Sequence, residues 1–305
     1  MVDRPGLRCA PESLARSEPL IATASRVQRW MIIEQPGAWG VDALAESKLD
    51  PDTALALAEA ARAQGVRVLL ARRANQRRLG AVRTVFLAHS GAERWWLEQV
   101  DVDAADPKAL LAIDLGALAF PEPNGAGVPG PPSLHLVCTN GRHDPCCADL
   151  GRPVMRAFAD AAAPDVWECS HVGGDRFAAN VVCLPEGIYY GRVEPEVAAG
   201  LVADYRERLL DLDHYRGRSC YGPLVQAAEA FGRSHLAERR LDAMSVLDFE
   251  QQRPDRSVAV HLQQRDGVTL EVVVARDRSQ SPELMTCRGG PGRPWHYRLV
   301  GIRSL

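Results

Sequence analysis

"LHLVCTNGRHDPCCADLGRPVMRAFADAAAPDVWECSH", residues 134–171, decides the fold. "LHLVC" is a short apolar run that reads as a buried strand, "CADLGRPVMRAFADAAA" has apolar residues at helical spacing, and "DVWECSH" reads as a second strand. Two strands joined through a helix of this length form a β-α-β unit with its strands parallel. "FAANVVCLP" and "IYYGRV" follow as two more strands around a turn at Pro185 to Gly187, and "PEVAAGLVADYRERLLD" closes the block as a helix.

The preceding chain repeats this order. "WMIIE" is a strand bounded by Pro36 and Gly37, "PDTALALAEAARAQG" a helix opened by Pro and Asp and closed by Gly65, and "VRVLLARR", "RTVFLAHSG" and "RWWLEQV" three strands rich in β-branched and aromatic residues. A parallel β-α-β with an antiparallel pair after it is the core layout of a thioredoxin-like fold. The chain is therefore expected to be α/β (α+β), with two thioredoxin-like β-α-β-β(-α) blocks at residues 1–119 and 133–217. The Pro/Gly-rich stretch "FPEPNGAGVPGPP", 120–132, reads as the linker between them. Residues 218–305 read as a small C-terminal α+β module: "LVQAAEAFGRSHLAERRLDAM" as helix, then two alternating runs joined at Asp266-Gly267, a tight-hairpin dipeptide.

Composition removes several classes of function. The 305 residues are 46% hydrophobic and 25% charged, an ordinary globular balance. Net charge is -3 with dispersed basic residues, so there is no basic stripe for a phosphate backbone and nucleic acid is not an expected partner. Lys48 and Lys108 are the only lysines, and neither follows the glycines of a Walker A loop. The N-terminal "MVDRPGLRCAPESLARSEPL" lacks the apolar core of a secretory signal, and the longest apolar tract, "ALLAIDLGALAF", is broken by Asp114 and shorter than the ~20 residues of a membrane span. No membrane association and a cytoplasmic location are expected, where eight cysteines read as reduced thiols or metal ligands.

The chemistry gathers at one end of the second block. Cys138 ends its first strand, Cys146 and Cys147 open its helix, and His171 and Asp175 lie after its second strand. In a parallel β-α-β unit the strand ends and the helix N-terminus meet on one side of the sheet. Gly141, Gly173 and Gly174 let the backbone bend close to a bound group. Thiolates and imidazole select zinc or iron-sulfur clusters over hard cations, and a helix N-terminus beside Cys147 favours an anionic group.

"CTNGRHDPCC" followed by "SHVGGDRFAANVVCLPEGIYYGR" resembles the sucrase/ferredoxin-like family, and "IATASRVQRWMIIEQPGAWG" resembles its opening segment. The resemblance implies a thioredoxin-like ferredoxin holding a 2Fe-2S cluster. It implies Cys138 and Cys147 on one iron, and for the other iron two histidines in an H-x-G-G-H stretch. Here that stretch is "HVGGD": His171 matches the first histidine, and Asp175 stands where the second would be. Asp175 is then the expected fourth ligand, with Cys169 and Cys146 as alternatives. Arg176, Gly173, Gly174 and Asn180 would surround the cluster.

Each group also has a plainer reading. A lone cysteine is more often a small buried hydrophobe, which is how Cys9, Cys183, Cys220 and Cys287 read. His143 reads as a solvated loop histidine, and Arg176 and Asn180 also suit a surface salt bridge and a turn contact. No C-x-x-C pair supports a dithiol oxidoreductase, and no G-x-S-x-G stretch or recognisable carboxylate pair supports a hydrolase or glycosidase. The expected function is electron transfer or redox sensing with a partner protein, an electron carrier more than an enzyme. The alternative is a structural or regulatory zinc protein that uses the same residues.

Overall fold

In the computed structural model, which describes residues 8–123, 125–162, 164–250 and 257–305, a short helix α1 (Cys9–Ala15) leads into the first block. That block contains β1 (Arg29–Glu34), α2 (Ala43–Glu46), α3 (Pro51–Gln64), β2 (Arg67–Arg72), β3 (Val82–Ser90) and β4 (Trp95–Asp103). The Pro/Gly stretch holds a two-residue strand, β5 (Val128–Pro129). The second block follows with β6 (Leu134–Cys138), α4 (Pro145–Ala162), β7 (Val166–Cys169), β8 (Val181–Leu184), β9 (Ile188–Tyr190) and α5 (Ala198–Arg206). After β10 (Tyr215–Arg218) and α6 (Pro223–Leu236) come β11 (Met244–Phe249), β12 (Ser257–Gln264), β13 (Thr269–Arg278), β14 (Glu283–Leu284), β15 (Pro291–Gly292) and β16 (Trp295–Ser304).

Local chemistry sets these elements. Asp50 caps α3 by accepting from the Thr53 amide, Pro51 takes the first helical position, and Gly65 ends the helix. β6 is buried at every residue, as suits a strand covered on both faces whose run is apolar but for His135.

The two blocks have the same topology. In each, the first two strands are parallel, the third lies antiparallel to the first, and the fourth antiparallel to the third. The thioredoxin-like layout therefore occurs twice. The two copies share one ten-stranded sheet, ordered β10-β9-β8-β6-β7-β2-β1-β3-β4-β5. They join where β2 and β7 pair antiparallel through Ala71 with Cys169 and Arg72 with Glu168. These are the last residues of both strands, so the copies meet at their C-terminal strand ends and the loops that follow β1 and β6 face each other. A core cluster mixes residues of both copies, including Trp30, Leu69 and Phe86 from the first with Leu136, Trp167 and Tyr189 from the second.

The C-terminal region differs from its sequence reading in extent. The expected hairpin forms as β12 and β13, but β11 and β16 flank it in a four-stranded sheet on which α6 packs. β16 was not recognisable because its side chains alternate poorly and are mostly exposed or half-exposed. The helix expected to reach residue 244 stops at Leu236, where Ala237 turns left-handed at φ 50°. β10 also went unread: "YRGR" looks like a loop, yet it adds to the sheet edge with Arg216 and Arg218 both buried.

His135 on β6 sits against the rings of Phe158 and Tyr205, with Nδ1 3.3 Å from the Cys183 sulfur and Nε2 buried without a partner. Burial, reinforced by the Arg206 charge, pushes its imidazolium down to about 4 from the ordinary 6.5. Between those values the unfolded chain takes up a proton that the folded chain refuses. The stability this residue contributes is thus complete above pH 6.5 and lost as pH falls toward 4. The loss should approach about 3 kcal/mol at the acid end. Urea unfolding at a series of pH values should show a shallower acid decline for His135→Leu than for the native chain; parallel declines would refute the assignment.

Candidate metal centre

Three segments build the centre: the end of β6, the start of α4 and the turn after β7. Cys138 and Cys169 are the last residues of their strands and parallel partners across the ladder. After Cys138 the chain turns tightly, the His143 and Asp144 amides both donating to the Asn140 carbonyl. Asp144 then caps α4, its Oδ1 accepting from the Cys146 amide at 2.9 Å, with Pro145 at the first helical position. Cys147 consequently lies in the first turn, beside Cys138. The helix can approach this closely because residue 151 is glycine; a Cβ there would overlap the Cys138 carbonyl oxygen.

The other arm, residues 171–175, is fixed by its carbonyls. Arg67 of β2 donates to His171 O at 2.7 Å, Ser25 to Val172 O at 3.0 Å, Arg216 to Gly173 O at 3.0 Å and Asn180 to Gly174 O at 2.9 Å. Arg216 also donates to Thr23 and to Asn180 Oδ1. Gly174 adopts φ 81°, and a side chain there would collide with the Arg216 guanidinium.

These constraints bring the ligand atoms of Cys138, Cys147 and His171 within 4.8 Å of one another, and those of His143, His171 and Asp175 likewise. His171 Nδ1 lies 3.0 Å from Asp175 Oδ1, and the Cys147 thiol donates to the same oxygen at 3.3 Å. His143 stacks on His171 with ring centroids 3.7 Å apart. Its Nδ1 is 3.2 Å from the Val41 carbonyl, which can only accept, so Nδ1 carries the proton and Nε2 faces Asp175 Oδ2 at 3.8 Å. His171 Nδ1 is buried and, for all its closeness to Asp175, has no hydrogen bond of good angle. An orphaned ring nitrogen beside two thiols and a carboxylate is a donor set that fits a soft metal.

The electrostatics follow from this crowding. A hydrogen bond from Cys147 pulls the Cys138 thiol well below its usual range; burial opposes the shift and His171 adds to it. Cys147 is held well above that range, first by its bond to Cys138 and then by burial. Burial disfavours the His171 imidazolium, but Asp175 and Cys138 together outweigh it and raise the group to about 9. Burial also works against the Asp175 carboxylate, yet His171 and His143 hold it below the usual value.

The remaining sequence candidates lie elsewhere. Cys169 is embedded in the shared core, outside both ligand groups, and burial drives its thiol well above the usual range. The Cys146 sulfur points to Cys287 and Cys9. Arg176 pairs with Glu18 at 2.7 Å, and Asn180 holds the loop through Gly174 and Arg216. Residues 173 and 174 form the turn itself. Sequence reasoning missed His143, Arg67 and Arg216. His143 had one available signal, its place inside the cysteine loop; the two arginines had none.

A family model described as sucrase/ferredoxin-like matches residues 20–217. Among curated proteins, "Altered inheritance of mitochondria protein 32" from Meyerozyma guilliermondii is 33% identical over 95 residues, 28% of this chain and 34% of that protein. The protein of the same name from Debaryomyces hansenii is 34% identical over 79 residues, 23% of this chain and 29% of its own length. The chain thus spans about a third of the length of these relatives. Among solved structures, two cysteine-to-serine variants of the thioredoxin-like [2Fe-2S] ferredoxin from Aquifex aeolicus match at 22% identity, covering 25% of this chain and 87% of theirs, with a TM-score of 0.22. Among the described residues, no helix is long and apolar enough to cross a membrane.

Proposed function

This chain belongs to the sucrase/ferredoxin-like family, and from that premise we propose that it is a one-electron carrier or redox sensor holding a 2Fe-2S cluster on Cys138, Cys147, His171 and Asp175. The observation that carries this reading is the convergence of two buried thiols, an imidazole whose buried nitrogen makes no well-angled hydrogen bond, and a carboxylate. A 2Fe-2S cluster supplies reversible one-electron chemistry when bound. The chain's own residues would hold it as two pairs, Cys138 with Cys147 and His171 with Asp175. Cys138 gives up its proton readily, while Cys147 holds its own against Cys138 and Asp175. The proton that His171 retains up to about pH 9 must leave before its ring nitrogen can ligate, so binding strengthens as pH rises. A groove beside the cysteine loop is lined by Arg142, Arg152 and Arg288, which suits an acidic redox partner protein.

Protein purified anaerobically should be reddish-brown, with about two iron and two sulfide per chain and a paramagnetic signal on reduction. Zinc at the same residues is the second reading, favoured because Cys138, Cys147 and His171 are close enough to share a single ion. A colourless protein with zinc and no iron at these residues would replace the first reading with the second. In the iron-sulfur form Asp175→His removes one negative charge from the ligand set, so the midpoint potential should rise. An unchanged potential with the cluster intact would exclude Asp175 as a ligand.

A further inference from the structure

Outside this centre, four side chains from three distant segments meet: Cys9 in the first turn of α1, Asp144 and Cys146 at the start of α4, and Cys287 between β14 and β15. All four are buried, and their donor atoms lie within 4.8 Å of one another. The Cys146 and Cys287 sulfurs are 3.4 Å apart, those of Cys287 and Cys9 3.5 Å, and the Cys9 sulfur is 3.7 Å from Asp144 Oδ2. A tetrahedral ion with bonds of about 2.3 Å to sulfur and about 2.0 Å to oxygen has ligand-to-ligand edges of about 3.5–3.8 Å. The measured separations are close to those edges, and far from the ~2.05 Å of a disulfide.

Ordinary packing of three thiols does not call for a carboxylate among them. Asp144 is buried, has no salt bridge among the described residues, and besides capping α4 lies against the Cys9 sulfur. Hydrogen bonds fix the geometry instead. Asp144 accepts from the Cys146 amide, from the Cys287 amide at 2.6 Å and from the Thr286 hydroxyl at 2.9 Å, while the Cys9 amide donates to the Cys287 sulfur at 3.3 Å. Donors to the ligands, including an amide to a sulfur, are the support that surrounds metal-bound thiolates. Cys146 and Cys147 adjoin in sequence but serve different groups, since successive helical residues point about 100° apart.

We propose that Cys9, Cys146, Cys287 and Asp144 form a second metal site, distinct from the first, which takes a zinc ion as a structural clasp. The three thiols release their protons to solvent as the ion binds, and the carboxylate supplies the oxygen ligand. The clasp joins the N-terminal helix and the 283–292 hairpin to the loop that presents Cys147, while α1 packs on the turn that presents Asp175.

The test is metal analysis of the untagged full chain purified anaerobically. Zinc should be present at about one per chain, independently of iron. Cys287→Ser should lower it at least about five-fold while leaving the visible absorption of the first centre, and Cys138→Ser should do the reverse. Should Cys287→Ser fail to fold, cobalt added to metal-stripped Cys138→Ser provides a second readout: tetrahedral ligand-field bands with thiolate charge transfer at about one cobalt per chain. Zinc without iron, lost in Cys287→Ser, would retain the clasp and refute the cluster. Neither metal bound, a disulfide among the three cysteines on peptide mapping, or zinc lost only in Cys138→Ser would each overturn the clasp.

Discussion

Cys138→Ser should yield a colourless protein, with iron per chain reduced at least about ten-fold against the native protein. A serine hydroxyl does not ionise near neutral pH, so the substitution removes one anionic ligand and leaves a buried hydroxyl in its place. The site also loses a relay: Cys138 accepts from Cys147 and is coupled to His171, so its charge keeps the other two in their present protonation states. Cys169→Ser is the informative control. Cys169 is the register partner of Cys138 and equally buried, but its sulfur lies outside the ligand groups. Iron content and absorbance should therefore survive Cys169→Ser at near-native levels, and colour that followed Cys169 in place of Cys138 would move the ligand from one strand end to the other.

Arg216→Met should lower stability to urea by about 3–5 kcal/mol. The guanidinium is fully buried, which depresses its own ionisation to about 10, and it donates to Gly173 O, Asn180 Oδ1 and Thr23. Methionine matches its volume without its donors, and each stranded acceptor costs about 1–3 kcal/mol. Because Gly173 belongs to the 171–175 turn and Asn180 donates to Gly174 within it, cofactor retention should fall together with stability. A loss below about 1 kcal/mol would mean that water replaces the guanidinium.

The blocks were legible because their signals are local. α3 announces its own cap and stop, and β6 has no polar residue but His135. β10 was not, because its reason to be a strand is the carbonyls and the Tyr189 and Trp95 ring faces that Arg216 and Arg218 meet far away in the chain. The site divides similarly. Cys138 and Cys147 share one loop, so their spacing could be read. Cys146 could not be assigned, since its neighbour Cys287 is 141 residues away. His143, which is half-exposed, meets the Val41 carbonyl of the other copy, a contact its own loop does not announce.

The core shared by the two copies makes them a single cooperative unit, although only one of them bears the ligand residues. Any group that binds the second copy in its folded form stabilises the first by the same linkage. A cavity cut at Leu69 or Trp30, far from any thiol in the sequence, should loosen the packing behind Cys138 and Cys147, which belong to the same core cluster. The copy without these thiols thus bears on the stability of the copy that has them.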